Sequence, residues 1–504
     1  MKTSSLSGEI SEQRGEQFSA ARRRLVLPLL CIAVFLDALD TSIVNVALPS
    51  IQHDLRLTTL DLPWVAGIYF LLYAGFLLLG GRAADLLGRR RIFMVGSALF
   101  GLASFICGLA NDAWLLLLAR ALQGLGAALT LPAAISIITT TFAEGPERNK
   151  ALSIFSATGA SGFSFGLVLG GVLTTFISWH WIFFVNVPFA LLILLLVPHV
   201  VKESRVMTGA RSYDIAGAVT VTAGLLLLGY AITQANQPGA TPLMTVGLLV
   251  LALVVLAVFI LVERRAKEPL IPLRIFRSKN TVSANLASFT LLGPFFSFLF
   301  IAALYLQDVL HYSPVLASLA LLPGSVLTVL VSRFVTPRLL NALGVKLSSV
   351  IGLLCMASGV ALLALIGPNS DYLGVILLPM LLVMGLGLGI GYPALAVAAV
   401  SGISDAEQGL AAGLQGTALQ AGGGLWLAIM AAVVTVSAAA AQGVISGVVP
   451  SVSAQLSGFH AGLLVAAAGA VLGAIIALIG IQGRPAEQKE QRSVETFAED
   501  KLSI

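Results

Sequence analysis

The chain has 504 residues, of which 58% are hydrophobic and 11% charged. A soluble globular domain is about 45–50% apolar and about 25% charged, so most of this surface must face lipid. The net charge of +5 would suit a nucleic-acid binder in a soluble protein, but here the basic residues cluster at the ends of apolar runs, where they orient a chain in a membrane. Cys31, Cys107 and Cys355 all lie in apolar stretches, which leaves neither a disulfide framework nor a metal site to build from.

In chain order, residues 1–24 are polar and read as a tail. The first apolar run continues for a full span with no small-residue cleavage site, so it reads as a helix and not as a leader. About 20 apolar residues cross a hydrocarbon core of about 30 Å. Runs of that kind predict fourteen helices, over 25–48, 63–81, 92–110, 113–141, 150–175, 181–201, 213–234, 242–262, 284–306, 314–334, 346–367, 372–400, 409–436 and 460–481. The basic stretch 263–283, with Pro269 and Pro272, reads as a linker, and 482–504 as a second polar tail.

Loop charge fixes the orientation. Arg22 to Arg24, Arg82 with Arg89 to Arg91, Arg148 and Lys150 fall on one side. Lys202, Arg205 and Arg211, then Arg264 to Lys279, Arg333 to Lys346 and the C-terminal tail fall on the same side. The opposite connections hold Arg56. By the positive-inside rule both termini are expected in the cytoplasm, with 235–241 and 438–458 external. A shift of 256 places lays Asp85, Gly88, Arg90 and Gly96 over Asn341, Gly344, Lys346 and Gly352, a faint repeat that suits two related halves.

Charges inside spans are costly and mark function by default. Asp37 lies about 18 Å from the cytoplasmic end of the first helix and Asp40 about 22 Å, at about 1.5 Å per residue. At i,i+3 they share a face, and Thr41 and Asn45 extend a polar stripe from Asp37 in steps of four. Arg120 enters the fourth helix from outside and comes level with Asp40 by the same rise. Either the two form a buried ion pair that only tolerates burial, or the carboxylate exchanges protons. Asp37, farther from Arg120, is the expected proton carrier, titrating as a pair with Asp40 if both share one cavity.

The connector after the second helix reads Gly81-Arg82-Ala83-Ala84-Asp85-Leu86-Leu87-Gly88-Arg89-Arg90-Arg91. The first helix carries Leu39-Asp40-Thr41-Ser42-Ile43-Val44-Asn45-Val46-Ala47-Leu48-Pro49, and the fourth Arg120-Ala121-Leu122-Gln123-Gly124-Leu125-Gly126. Further on stand Trp181-Ile182-Phe183-Phe184-Val185-Asn186-Val187-Pro188, Tyr305-Leu306-Gln307, Ser313-Pro314 and Gln420-Ala421-Gly422-Gly423. Together these resemble the fourteen-helix drug:proton antiporters of the major facilitator superfamily. The resemblance implies an all-α polytopic membrane protein in the major facilitator fold. A six-helix bundle would occupy 25–201 and another 284–481, with two inserted helices over 213–262. It also implies a cell-membrane exporter of amphipathic, often cationic drugs or antibiotics, driven by the proton gradient without a cofactor and acting as a monomer.

Within that frame Gly81, Asp85, Gly88, Arg89 and Arg90 are expected to form a cytoplasmic gate, with Asp85 near the start of the third helix, where a carboxylate complements the dipole. Gly159, Gly162, Gly166 and Gly170 offer a smooth face on the fifth helix. Leu167 follows Gly166 where the antiporter motif has proline, and His180 stands where relatives often carry arginine. Asn45, Tyr69, Tyr73, Gln123, Phe163, Phe165, Tyr305, Gln307, Gln420 and Trp426 are candidates for the substrate cavity, since aromatics with a few amides suit amphipathic ligands. Trp64 belongs there too, or anchors at the interface.

An enzyme is not expected. The five histidines lie near span ends without paired ligand spacing, and no Gly-rich phosphate loop ends in Gly-Lys-Ser/Thr. Transport of a metabolite in the other direction, and a ligand-binding receptor on the same fold, stay open.

Overall fold

The structure is a computed structural model that describes residues 3–205, 214–235, 237, 240–266, 269–403, 405–442 and 451–482, with the side chains of 3–24, 273, 405 and 406 outside the described set. Thirteen helices among these are long and apolar enough to cross a membrane. In chain order they are α1 Thr3–Leu55, α2 Trp64–Leu87, α3 Arg89–Gly108, α4 Ala113–Thr141 and α5 Pro146–Phe176, with α6 Trp181–Val200 and α7 Ile215–Gln234. There follow α8 Pro242–Arg265, α9 Lys279–Val309, α10 Pro314–Leu363, α11 Tyr372–Val400, α12 Glu407–Gln442 and α13 Val452–Gly480. Side-chain caps start several of them: Asp112, Thr241, Ser313 and Ser451 each accept a backbone N–H of the first turn.

The count departs from the fourteen expected because 314–334 and 346–367 lie in one 50-residue element, α10. A straight helix of that length would run about 75 Å, against a hydrocarbon core of about 30 Å. Instead α10 doubles back at Gly344, whose φ of 76° and ψ of 175° are not helical. Both its ends return to one end of the molecule. Tyr372 donates to the Ala320 carbonyl at 2.7 Å, and Tyr305, just before α10, donates to the Gly367 carbonyl at 2.6 Å just after it. The loop there is too tight to interrupt the helical run.

Gly88 and Gly344, superposed by the sequence repeat, both take positive φ, at 114° and 76°. Gly96 packs on the Gly126 carbonyl and Gly352 on the backbone of Gly391, so each repeat position also meets a neighbouring helix closely.

In the first half, α1 packs on α5, α2 on α4, and α3 on α4 and α6; in the second, α9 packs on α11, α12 and α13, and α10 on α11 and α13. The halves meet along α2 with α12 and α5 with α10. α7 lies against α2 and α12, while α8 packs on α7 and buries two residues, Ala252 and Glu263. Tails 1–2 and 483–504, residues 443–450 of the segment 438–458 expected to be external, and the basic residues Arg211 and Lys267 lie outside the described residues.

Candidate transport site and gate

Asp40 and Arg120 are each at most 1% exposed, and Arg120 Nη1 donates to Asp40 Oδ2 at 2.5 Å. A buried pair tolerates its desolvation only if its remaining hydrogen-bonding capacity is met. Here partners come from α2, α3, α4 and α6, while the Asn186 side-chain oxygen is left without one. Gln123 and Asn186 donate to Asp40 Oδ1, both at 3.1 Å. Arg120 Nε donates to the Val65 carbonyl at 2.8 Å and its Nη1 also reaches Gln123 Oε1 at 2.8 Å. Ser104 accepts from Gln123 at 2.7 Å, and the Cys107 thiol lies 3.4 Å from Gln123 Oε1. The guanidinium stacks 4.5 Å from the Tyr69 ring centre and 5.8 Å from that of Phe183.

Asp37 sits in other surroundings, although it is one turn away on the same helix. It is half-buried, and its Oδ1 accepts a hydrogen bond from the Tyr69 hydroxyl. The two aspartates therefore have different hydrogen-bond partners. Tyr69 stands between them, with its hydroxyl on Asp37 and its ring under Arg120. Tyr73 packs edge-on to Tyr69 at 5.9 Å, and Tyr73 and, from the other half, Tyr392 lie within the electrostatic reach of Asp37. Asp37 also borders a small, partly open recess in the first bundle, with Ser97, Phe100, Thr130 and Ile193. The expected stripe is realised along the helix itself: Thr41 donates to the Asp37 carbonyl at 2.9 Å and Asn45 to the Thr41 carbonyl at 2.7 Å.

The wall candidates divide. Phe163 meets Phe295 at 5.8 Å and Phe70 meets Phe296 at 4.5 Å, so aromatic rings face each other across the halves. Gln307 donates to the Val46 carbonyl at 3.0 Å, a polar tie between the halves. Gln123 belongs to the ion-pair network and not to a wall. Tyr305 is buried with its hydroxyl committed to Gly367, and Trp426 is buried with its ring wedged against Gly293 and Gly469, so both are packing. Phe165 is 63% exposed and tilts against Phe35, while Gln420 is half-buried. Trp64 is half-buried and its indole N–H reaches Thr233 of α7 at 3.4 Å, so it ties α2 to the inserted pair.

At the gate, one expectation is corrected. Asp85 lies in the last turn of α2, not at the start of α3, so the local dipole does not favour it. Arg89 supplies the compensation, gripping Asp85 Oδ1 through Nε at 3.0 Å and Nη2 at 2.8 Å, and Ser136 donates to the same oxygen at 3.2 Å. Gly88, with its positive φ, makes the turn between the two helices. The carboxylate that satisfies the start of α3 is Glu203, which the sequence did not suggest. It accepts from the backbone N–H of Arg90 at 3.1 Å and of Arg91 at 3.2 Å, and both guanidinium groups lie within 4 Å of it. Arg90 in turn donates to the Pro198 and Val201 carbonyls that end α6, both at 3.3 Å. Gly81 lies against Pro132 of α4.

The glycine face of α5 is packed on α1. A Cβ on Gly162 would lie 2.5 Å from the Phe35 carbonyl, one on Gly166 2.5 Å from the Leu39 carbonyl and one on Gly170 3.0 Å from that of Ile43, while Gly159 faces the side chain of Val34. Gly171, missed by the sequence reading, continues the close approach across the halves, onto the Pro314 carbonyl and Ser318 of α10.

Two halves of apolar helices, an inserted pair and a charge network buried at mid-depth define a multi-pass membrane transporter, not an enzyme. Its family follows from comparison with known proteins: residues 30–427 match the model of the Major Facilitator Superfamily, and the chain belongs to it. It is 38% identical to the puromycin resistance protein pur8 of Streptomyces alboniger over 92% of both chains. It is 39% identical to the cephamycin export protein CmcT of Amycolatopsis lactamdurans, covering 84% of this chain and 87% of that one. With the lincomycin resistance protein of Streptomyces lincolnensis it shares 33% identity over 85% and 88%. Among solved structures, a bacterial homologue of the human lysosomal transporter Spinster superposes with a TM-score of 0.64 at 16% identity, over 91% of this chain and 97% of that one.

Proposed function

We propose that this transporter exports amphipathic small molecules, drugs or antibiotics and often cationic, in exchange for protons by alternating access. The export and resistance proteins above, similar over nearly their whole length, support the cargo class and direction. The observation that carries the coupling is the unequal setting of the two aspartates. Asp40 accepts from Arg120, Gln123 and Asn186 in a buried network, whereas Asp37 holds a single tyrosine hydroxyl beside the junction of the halves. In this reading Asp37 takes a proton from the external side and releases it to the cytoplasm, Tyr69 steadies the carboxyl through Oδ1, and Oδ2 carries the proton. Asp85, Arg89 and Glu203 hold the cytoplasmic ends of α2, α3 and α6 together as the gate. The protein would work as a monomer in the cell membrane with both termini cytoplasmic and no cofactor.

The test is flux in inside-out vesicles. Wild type should accumulate a cationic dye such as ethidium under a proton gradient and lose it on adding an uncoupler. Asp37→Asn should bind the dye, release no proton on binding and fail to accumulate it. Undiminished proton release from Asp37→Asn would move the coupling role to another group, and uncoupler-resistant accumulation would remove proton drive altogether.

A further inference from the structure

α8 is turned almost wholly to lipid, yet one of its two buried residues is a glutamate. Glu263 is 3% exposed, and its Oε1 has no hydrogen-bond partner. Facing it is Asp214, which is 9% exposed and caps α7 by accepting from Gly217 N at 3.0 Å. Glu263 Oε1 and Asp214 Oδ2 both lie 2.9 Å from the point where Gly217 would carry a Cβ, and the two carboxyl groups are within hydrogen-bonding reach. Two acceptors cannot bond to each other. One proton between them turns Oε1 into a donor to Oδ2 and removes both the orphan and the repulsion.

The same groups hold the linker that leads into α9. Arg82, from the end of α2, donates to the Pro269 carbonyl at 3.2 Å. Asp214 Oδ2 accepts from Leu270 N at 3.4 Å, and Glu263 Oε2 from Ile271 N at 3.3 Å. Three successive residues are thus clipped by charged side chains from α2, the cap of α7 and the end of α8. Arg82 is the cation facing the pair from α2. Arg264 and Arg265 on α8 itself are exposed, and Arg274, further along the linker, pairs with Glu407 of α12 at 2.7 Å.

We propose that Asp214 and Glu263 form a second proton site, apart from the transport path, which holds one shared proton and so clips the linker to the gate-side end of α2. A proton taken from the cytoplasm closes the clip as Oε1–H···Oδ2. Its loss at higher pH leaves two anions that push the clip open and free the Leu270 and Ile271 amides. The inserted helices thereby report cytoplasmic pH to the segment that joins the halves.

The experiment is hydrogen exchange at Leu270 and Ile271, on the full chain in lipid nanodiscs and corrected for the intrinsic rate at each pH. Wild-type protection should fall about tenfold on going from acid to alkaline pH, the scale of one lost hydrogen bond. Glu263→Gln supplies a carboxamide N–H to Asp214 without a proton, so its protection should stay high and flat. Asp37→Asn should keep the wild-type titration whether or not it transports, which separates this site from the coupling carboxyl. Flat wild-type protection, a Glu263→Gln profile that titrates like wild type or is low throughout, or a titration abolished by Asp37→Asn would each overturn the proposal.

Discussion

Three residues apart on one helix, Asp37 and Asp40 carry the same side chain into different surroundings. Sequence depth alone set Arg120 level with Asp40, because a constant rise converts residue counts into ångströms, and the two are in fact bonded. The rest of the network was less legible. Asn186 lies 146 residues from Asp40 and Ser104 lies 19 from Gln123, and no local pattern announces such a meeting. Tyr69 was read as a cavity wall, yet its ring and hydroxyl serve the two carboxylates' separate environments. Replacing Asp40 by asparagine should leave the Arg120 charge buried and unpaired, at about 3–5 kcal/mol. The thermal midpoint of purified Asp40→Asn should fall well below wild type, while Asp37→Asn, whose neutral amide still accepts from Tyr69, should melt close to it. Equal midpoints for the two variants would mean that the pair is not what holds the first bundle.

At the scale of helices, the glycine face of α5 was readable because close approach requires missing side chains at helical spacing, and Gly159, Gly162, Gly166 and Gly170 supply them, but that α1 is the helix they meet was not. The absent proline after Gly166 leaves this contact intact, since Leu167 is itself fully buried. The gate was half readable. Its arginines and glycines stood out, but Glu203 follows α6 more than 100 residues away, and only the folded chain brings it to the start of α3. The glycines are not equivalent, and their neighbours rank them. A methyl on Gly162 would meet a backbone carbonyl at 2.5 Å, whereas one on Gly159 would meet the tip of Val34 at 3.1 Å, which can turn aside. Gly162→Ala should therefore cost about 1–3 kcal/mol, the usual range for overpacking, and Gly159→Ala clearly less. Melting of the two variants in the same detergent would show it, and an equal loss at both positions would contradict the backbone contact at Phe35.

For the whole molecule, apolar run length and loop charge were the strongest signals, because the bilayer sets both. At Gly344 the turn is so short that the helices of two expected spans meet there with no loop between them. The position of the linker clip was not legible, since Pro269 and Pro272 marked a connector without indicating what holds it. By the positive-inside rule, the side where the arginines and lysines gather is expected to be cytoplasmic. In intact cells an impermeant thiol reagent should label a cysteine placed at 237, and should reach one at 493 only after the membrane is opened. Labelling at 493 but not at 237 would invert the topology.

The halves touch through surfaces of two kinds. Gly67 with Gly424, and Gly171 with Pro314, bring backbone against backbone, while Phe70, Phe163, Phe295 and Phe296 bring ring against ring. The backbone contacts need glycine at the point of approach, and the ring contacts depend on the side chains that meet. If the halves rock as proposed, the first kind would serve as the fulcrum and the second as the jaw. The jaw could then be recut for a new cargo by changing side chains, while the glycine fulcrum, and with it the stroke, would stay as it was.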